Sequence, residues 1–407
     1  MYLSSDILFL EEEPTYTIYN SAWNTALMVE ESLFHALKER NLDLVRSLAG
    51  EEAMADFLRE GILAESEEIY HRMTKERIPP RAVGQDEHLV APKVAYLQLT
   101  RQCNLRCSYC YNRENLCPVD ATQGEVLRKI LKNLRKAGVE TVVFTGGEPM
   151  VRKDFPELVE RALKEGMCVQ VLTNGTRMKD HVDTLQKVHA IIVSIDTVIQ
   201  DHNLRTGLSV EGLIRDLAGL PEDIIGKTAI RSVITGTHPH DWRAVKNFAE
   251  AHGFAFMSTI VMPCGVEDFI HLPPMEALEQ EREEISSALG CSSCGASKGI
   301  LAVDGEGEIY PCQAMMRRPL RLANILDENW KQELATRRKE LGIFDRNVNT
   351  VEHCSQCKVR YICGGGCMAV SYDVYGDLRR TVKEICPYKM AEAEGKLRGI
   401  IHMAGGI

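Results

Sequence analysis

Apolar runs alternate with amphipathic stretches from Val94 to about Met262. Six runs read as strands: Ala95–Leu99, Thr141–Thr145, Val169–Thr173, Ala190–Ile195, Thr228–Val233 and Phe254–Val261. Between the first two, Val126, Leu127, Ile130, Leu131 and Leu134 share one helical face, and Gly138 ends the helix. Strand–helix alternation of this kind predicts an α/β fold with a parallel sheet and right-handed crossovers. In parallel α/β barrels, ligands bind at the C-terminal ends of the strands.

Residues 1–90 have a different rhythm and read as a small α+β domain. Ile7–Leu10, Thr15–Tyr19 and Ala26–Val29 are short β-rich runs. Leu33–Lys38 and Leu42–Leu48 have helical spacing, and a helix pattern after Gly50 ends at Arg59, before Gly61-Ile-Leu63. Glu11-Glu-Glu13 reads as a solvated charge run. Glu76–Lys93, with Pro79-Pro80 and Gly84, reads as a linker. The expected domains are 1–90, 91–285 and 286–407.

Composition narrows the class. The 407 residues suffice for two or three domains, and 44% hydrophobic content supports a large core. A net charge of −10 argues against a general nucleic-acid binder. No run of about 18 apolar residues and no charged-then-apolar leader is present, so neither a membrane span nor a signal peptide is expected. The expected location is cytoplasmic. Fourteen cysteines in such a chain read as metal ligands rather than disulfides.

Cys103, Cys107 and Cys110 have the spacing C-x3-C-x2-C. Three thiolates so close can hold three irons of a [4Fe–4S] cluster and leave the fourth iron open to a small chelating molecule. A structural zinc knuckle is the plain alternative, but zinc wants a fourth ligand, and only Cys117 lies near. The segment, including Tyr109 before the last Cys, resembles the cluster motif of radical S-adenosylmethionine (SAM) enzymes. The six strand–helix units resemble their open (β/α)6 partial TIM barrel.

Three strand-end segments fit the same resemblance. Thr145-Gly-Gly-Glu-Pro149 ends the second strand and looks like the family's SAM-binding motif, with Gly146, Gly147 and Pro149 shaping the loop. Glu148 can accept from an ammonium, and the glycines let backbone approach a ligand closely. Thr173 and Asn174, in Leu172-Thr-Asn-Gly-Thr176, end the third strand. Ser194 and Asp196, in Val193-Ser-Ile-Asp-Thr197, would by resemblance face the SAM ribose. Helix capping is the plain reading of each. Arg205 matches an arginine often found after that strand. It would pair with a carboxylate of SAM or substrate, or else form a surface salt bridge. Arg231, on the fifth strand, is a similar candidate, since a buried arginine is costly without an anion.

The last third carries eight more cysteines. Cys354, Cys357, Cys363 and Cys367 follow C-x2-C-x5-C-x3-C, with Cys386 beyond, and Cys291, Cys294 and Cys312 upstream. With Tyr310-Pro-Cys312 and Cys363-Gly-Gly-Gly-Cys367, this resembles the SPASM auxiliary-cluster domain over roughly residues 290–390. The resemblance implies one cluster on Cys291, Cys294, Cys312 and Cys367, and an outer one on Cys354, Cys357, Cys363 and Cys386. Two zinc sites are the alternative, because C-x2-C pairs suit zinc. Cys117 and Cys168 read as small buried hydrophobes. Cys264, after the sixth strand, is a candidate hydrogen-atom donor. Asp304 reads as a turn residue. Sulfatase-maturing relatives carry an Asp base directly after Tyr-Pro-Cys, whereas this chain has Gln313, which takes no proton.

Together these readings imply SAM and three [4Fe–4S] clusters. A 5′-deoxyadenosyl radical would remove hydrogen from the substrate, with the cofactor doing the hard step. SPASM members act largely on peptides or proteins. Residues 1–90 resemble the winged-helix peptide-recognition element of ribosomal-peptide-modifying enzymes. The expected function is therefore oxidative maturation, to a thioether or carbon–carbon crosslink, of a peptide carrying a leader. An external donor such as flavodoxin or ferredoxin would supply electrons. A small-molecule or protein-side-chain substrate, with 1–90 as a cap on the barrel, is one alternative; a non-catalytic zinc-binding adaptor is another.

Overall fold

The structure, a computed structural model, describes residues 1–12, 15–77, 92–120, 122–279, 296–297, 299–343 and 346–404. The linker residues Pro79, Pro80 and Gly84, and Cys291 and Cys294, lie outside them.

The chain opens with β1 (Tyr2–Leu3), β2 (Ile7–Glu12), β3 (Thr15–Asn20) and β4 (Thr25–Val29). Helices α1 (Glu31–Lys38), α2 (Leu42–Leu48) and α3 (Glu51–Arg59) follow, then β5 (Leu63–Ala64) and α4 (Glu67–Arg77). The β2-β3-β4 sheet is antiparallel, and β5 returns to pair with β1. Phe34, Leu37, Val45, Phe57 and Ile62 form a core of their own between sheet and helices. Burying such side chains contributes about 1.5–3 kcal/mol each, which lets a unit this small hold its shape.

Six parallel strands follow: β6 (Val94–Thr100), β8 (Thr141–Gly146), β9 (Cys168–Thr173), β10 (Ala190–Ser194), β12 (Thr228–Ile234) and β13 (Ala255–Ile260). Two short strands interrupt them in sequence, β7 (Arg106–Cys107) and β11 (Arg205–Thr206). The large sheet runs β13-β12-β10-β9-β8-β6 and continues into β14 (Ile300–Val303), β15 (Glu308–Tyr310) and β16 (Ala323–Asn324). β14 joins β6 as a seventh parallel strand, with Ile300 opposite Val94, and β15 and β16 turn antiparallel. The (β/α)6 expectation therefore holds for the six, with a three-strand extension at the β6 edge.

Helices cover one face of this sheet. The helix Gly124–Lys136 buries Leu127, Ile130, Leu131 and Leu134 at the predicted spacing. The helix Phe155–Lys164 buries Phe155, Leu158 and Val159. Val142, Phe144, Val169, Val171, Ile191, Val193 and Ile230 meet them from the strands. Strand residues alternate faces, so the positions between these point to the opposite, inner face. Asp304 turns the chain between β14 and β15, as expected, with Oδ1 accepting from the Glu306 and Glu308 N–H groups at 3.0 and 2.9 Å.

The N-terminal domain packs on the C-terminal cysteine region. Arg360 lies 2.6 Å from the Asp6 carboxylate, and both side chains are nearly buried. The Tyr70 hydroxyl donates to Asp6 at 2.9 Å, and Leu10 and Tyr19 pack with Ile362 and Leu397.

Candidate functional site

The loop after β6 carries Cys103, Cys107 and Cys110. It is pinned where β7 pairs with β11, which sets Cys107 opposite Arg205. The three thiols lie within electrostatic reach of one another, and none is in a disulfide. Burial pushes all three up, that of Cys107 to about 11, because desolvation penalises a thiolate. A bound metal reverses that penalty. Three adjacent half-buried thiols fit three irons of a cluster with one iron open.

The strand-end loop of β8 lies directly against this one. The Gly147 N–H donates to Thr100 O at 2.9 Å, and the Glu148 N–H to Gln102 O at 2.8 Å. A Cβ at Gly147 would overlap the Gln102 carbonyl, and Gly146 has φ 147° against Thr100. The glycines thus admit the cluster loop's own backbone. Pro149 starts a short buried turn.

Glu148 is fully buried. Its carboxylate accepts from the Thr173 hydroxyl (2.9 Å), the Asn174 N–H (2.7 Å) and the Met150 N–H (3.2 Å). Three protein donors thus hold the carboxylate at the strand end. Burial outweighs them and raises its pKa to about 7. Asn174 donates onward to Asn104 at 2.9 Å, and Asn104 donates to Thr176 at 2.8 Å. The sequence reading missed Asn104; its one signal is its place directly after Cys103. Thr173 and Asn174 thereby tie the β9 end to the cluster loop.

Asp196 and Arg205, both expected to face the cofactor, pair with each other. Arg205 donates from Nε at 2.8 Å and from Nη2 at 3.0 Å to the two carboxylate oxygens. The Val233 N–H adds a bond at 2.9 Å, and the Tyr109 hydroxyl donates to the same carboxylate. The Arg205 guanidinium lies 5.6 Å from the Tyr109 ring centroid. A buried guanidinium needs a counter-ion, and the nearest strand end supplies it. Ser194 is half-buried at the end of β10 and sits in register with Arg231 on β12.

Cys354, Cys357, Cys363 and Cys386 converge. Each of the first three acts electrostatically on Cys386, and all four line a cavity of 780 Å³. Gly364, Gly365 and Gly366 follow Cys363 with φ of 67, 85 and 83°, a left-handed run that only glycine adopts readily. Four thiols around a cavity of that size fit a fully ligated cluster. Its opposite wall is the N-terminal domain, through Leu3, Ile7, Leu8 and Phe9. Cys312 and Cys367 pack against the main core; Cys291 and Cys294, their expected partners, lie outside the described residues. Cys264, beyond β13, is half-buried; burial raises its thiol to about 12, and Asp373 and Asp268 add to the rise. Arg113 clamps Asp268 there at 3.0 Å through both nitrogens, a pair the sequence did not reveal. Cys168, expected to be buried, is exposed because it opens β9 at the end away from the site.

Residues 97–268, which span the thiol triad and the strand ends it lies against, match the Radical SAM superfamily. The chain carries a radical SAM domain, and the enzyme is of the oxidoreductase type. It is similar to the mycofactocin maturase MftC of Mycobacterium ulcerans, at 25% identity over 337 residues, 72% of this chain and 88% of the relative. SuiB of Streptococcus suis superposes with a TM-score of 0.59 at 17% identity, over 95% of this chain and all of SuiB; SuiB has also been solved bound to precursor peptide SuiA. The structure of anSMEcpe with bound AdoMet and Kp18Cys peptide gives 0.63 at 19% identity, over 77% of this chain and 99% of that one. Among the described residues no helix is long and apolar enough to cross a membrane.

Proposed function

We propose that this protein is a radical SAM maturase that oxidises a side chain of a ribosomally made peptide. The observation that carries this reading is the clamping of the Cys103–Cys110 loop onto the ends of β8, β9 and β10 through Gly147, Asn104 and Asp196. The maturase name of MftC and the peptide-bound SuiB structure support a peptide substrate. When bound at the triad, a [4Fe–4S] cluster and SAM supply the one-electron chemistry that removes an unactivated hydrogen atom.

The chain's own residues then have distinct tasks. Cys103, Cys107 and Cys110 hold the cluster. Gly146, Gly147, Ser194 and the Thr173–Asn174 backbone shape the SAM cavity, while Asp196 and Arg205 fix Tyr109 beside it. Cys312 and Cys367, with Cys291 and Cys294, hold an inner auxiliary cluster. Cys354, Cys357, Cys363 and Cys386 hold the outer one, making three. The N-terminal domain receives the leader, and a flavodoxin or ferredoxin delivers electrons in the reducing cytoplasm, where thiols persist.

The test is anaerobic incubation of the reconstituted enzyme with SAM, a reductant and the short peptide encoded beside its gene, read by tandem mass spectrometry. The expected product is about 2 Da lighter per modification, from loss of two hydrogens in an oxidative crosslink. Release of 5′-deoxyadenosine with an unaltered peptide would overturn the assignment.

A further inference from the structure

Arg231 is a half-buried cation with no carboxylate partner among the described residues. On β12, Thr228, Ile230, Ser232 and Ile234 are buried, and Ile230 belongs to the helix-side core. Arg231 alternates with them and therefore points to the inner face. Its Nε is shut off from solvent and has no hydrogen-bond partner. Among the described residues no carboxylate pairs with it, whereas Arg205 has Asp196, Arg360 has Asp6 and Arg152 has Asp154. A guanidinium whose Nε is buried without an acceptor carries an unmet donor, so on the inner face of the sheet it marks a place for an anion.

The surroundings say where that anion lies. The charge of Arg231 acts on the phenols of Tyr96 and Tyr111, and both phenols also feel Cys312. Tyr111 directly follows Cys110. Arg231 thus stands between the triad and the first auxiliary cysteine. In the sheet order β12-β10-β9-β8, it is three strand spacings from the Gly146-Gly147 loop that abuts the triad. At about 4.8 Å per strand, that is roughly 14 Å along the sheet. A cation so placed lies on the inner face of the sheet, set off to one side of the triad loop.

We propose that Arg231 is a specificity residue that binds a carboxylate on the peptide segment undergoing oxidation; this rests on the maturase reading. Arginine suits the task because its planar fork meets both carboxylate oxygens at once. The carboxylate comes from an Asp or Glu side chain or from the peptide's C-terminus.

The probes are N-acetyl-alanyl-alanine as the free acid, its C-terminal amide, and two amides with Asp or Glu as the second residue. Each is titrated calorimetrically into the full-length, cluster-loaded enzyme with SAM present. At least one acidic form should bind tenfold or more tightly than the neutral amide, and which one does so names the source. Arg231→Gln should erase the difference, and Arg231→Lys should retain part of it, with iron content checking that both variants fold. Equal binding of acids and neutral amide, or a preference that survives in R231Q, would overturn the proposal. So would loss of SAM affinity in R231Q, measured by equilibrium dialysis without peptide, because the cation would then serve the cofactor. A wild-type enzyme that prefers acids but never alters the neighbouring peptide would sink the maturase reading and leave the carboxylate site standing.

Discussion

Arg205 grips Asp196 through two bonds, at 2.8 and 3.0 Å, with the Tyr109 hydroxyl closing on the same carboxylate. Three segments meet there: the cluster loop, the end of β10 and β11. Removing one partner leaves the other charge buried, at a cost of about 3–5 kcal/mol. Asp196→Asn should therefore lower the chemical unfolding midpoint markedly and reduce iron bound at the triad. Replacing both residues, as Asp196→Leu with Arg205→Met, should recover a good part of the stability. A double variant as unstable as the single one would refute the pairing as the cause.

Glu148 makes stability depend on pH. Burial raises its pKa to about 7 from an ordinary value of 4.5, so the folded state holds a proton that the unfolded state has released between those values. The folded protein binds more protons in that window, so this contribution is complete below pH 4.5 and is lost as pH rises through 7. The loss amounts to about 3 kcal/mol at most. Denaturant midpoints of the wild type measured from pH 5 to 8 should carry this falling component. Glu148→Gln should flatten it, although its baseline will be lower because the amide presents a donor to the Asn174 N–H. An unchanged slope in the variant would assign the pH dependence elsewhere.

Iron content tests the cysteine assignment. Three four-iron clusters give about twelve irons per chain after anaerobic reconstitution. Changing Cys103, Cys107 and Cys110 together to Ala should leave about eight and abolish SAM cleavage. Cys354→Ala or Cys386→Ala should impair peptide product more than SAM cleavage. Stoichiometric zinc with little sulfide would overturn the set.

Leader recognition is best probed at the free edge of the N-terminal sheet. β4 is an edge strand, and its Met28 is 66% exposed. Deleting residues 1–90 is a blunter test than the sequence suggests, since it strips a wall from the outer cysteine cavity. Met28→Asp is a surface change worth about 0.5 kcal/mol or less in stability. Turnover of full-length peptide should fall several-fold, with uncoupled 5′-deoxyadenosine formation unaffected. Equal peptide turnover would move the leader to another surface.

The parallel strands were legible because each is a short, buried, β-rich run bounded by helices. Thr228–Val233 was expected and Thr228–Ile234 is found. The cysteine triad was legible from spacing, because a loop that brings three thiols together must keep them close in sequence. What escaped depends on contacts between distant residues. β14 pairs with β6 across some two hundred residues, and its four residues carry no local sign of that partner. Asp196 and Arg205 suit a cofactor as well as each other, so residue type could not decide. The seat of the N-terminal domain rests on Asp6 meeting Arg360, which no periodicity announces.

With a cluster on the outer cysteines and the leader on the N-terminal domain, as proposed, the wall that β2 shares with that cavity couples two equilibria. Any difference in leader affinity between the oxidised and reduced enzyme must reappear as an equal shift in the driving force for reduction, since the thermodynamic cycle closes. A tenfold affinity ratio corresponds to about 59 mV for a one-electron couple. Precursor docking and electron acceptance then form a reciprocal pair. An enzyme that takes up electrons more readily once its precursor is seated must also hold that precursor more tightly after reduction.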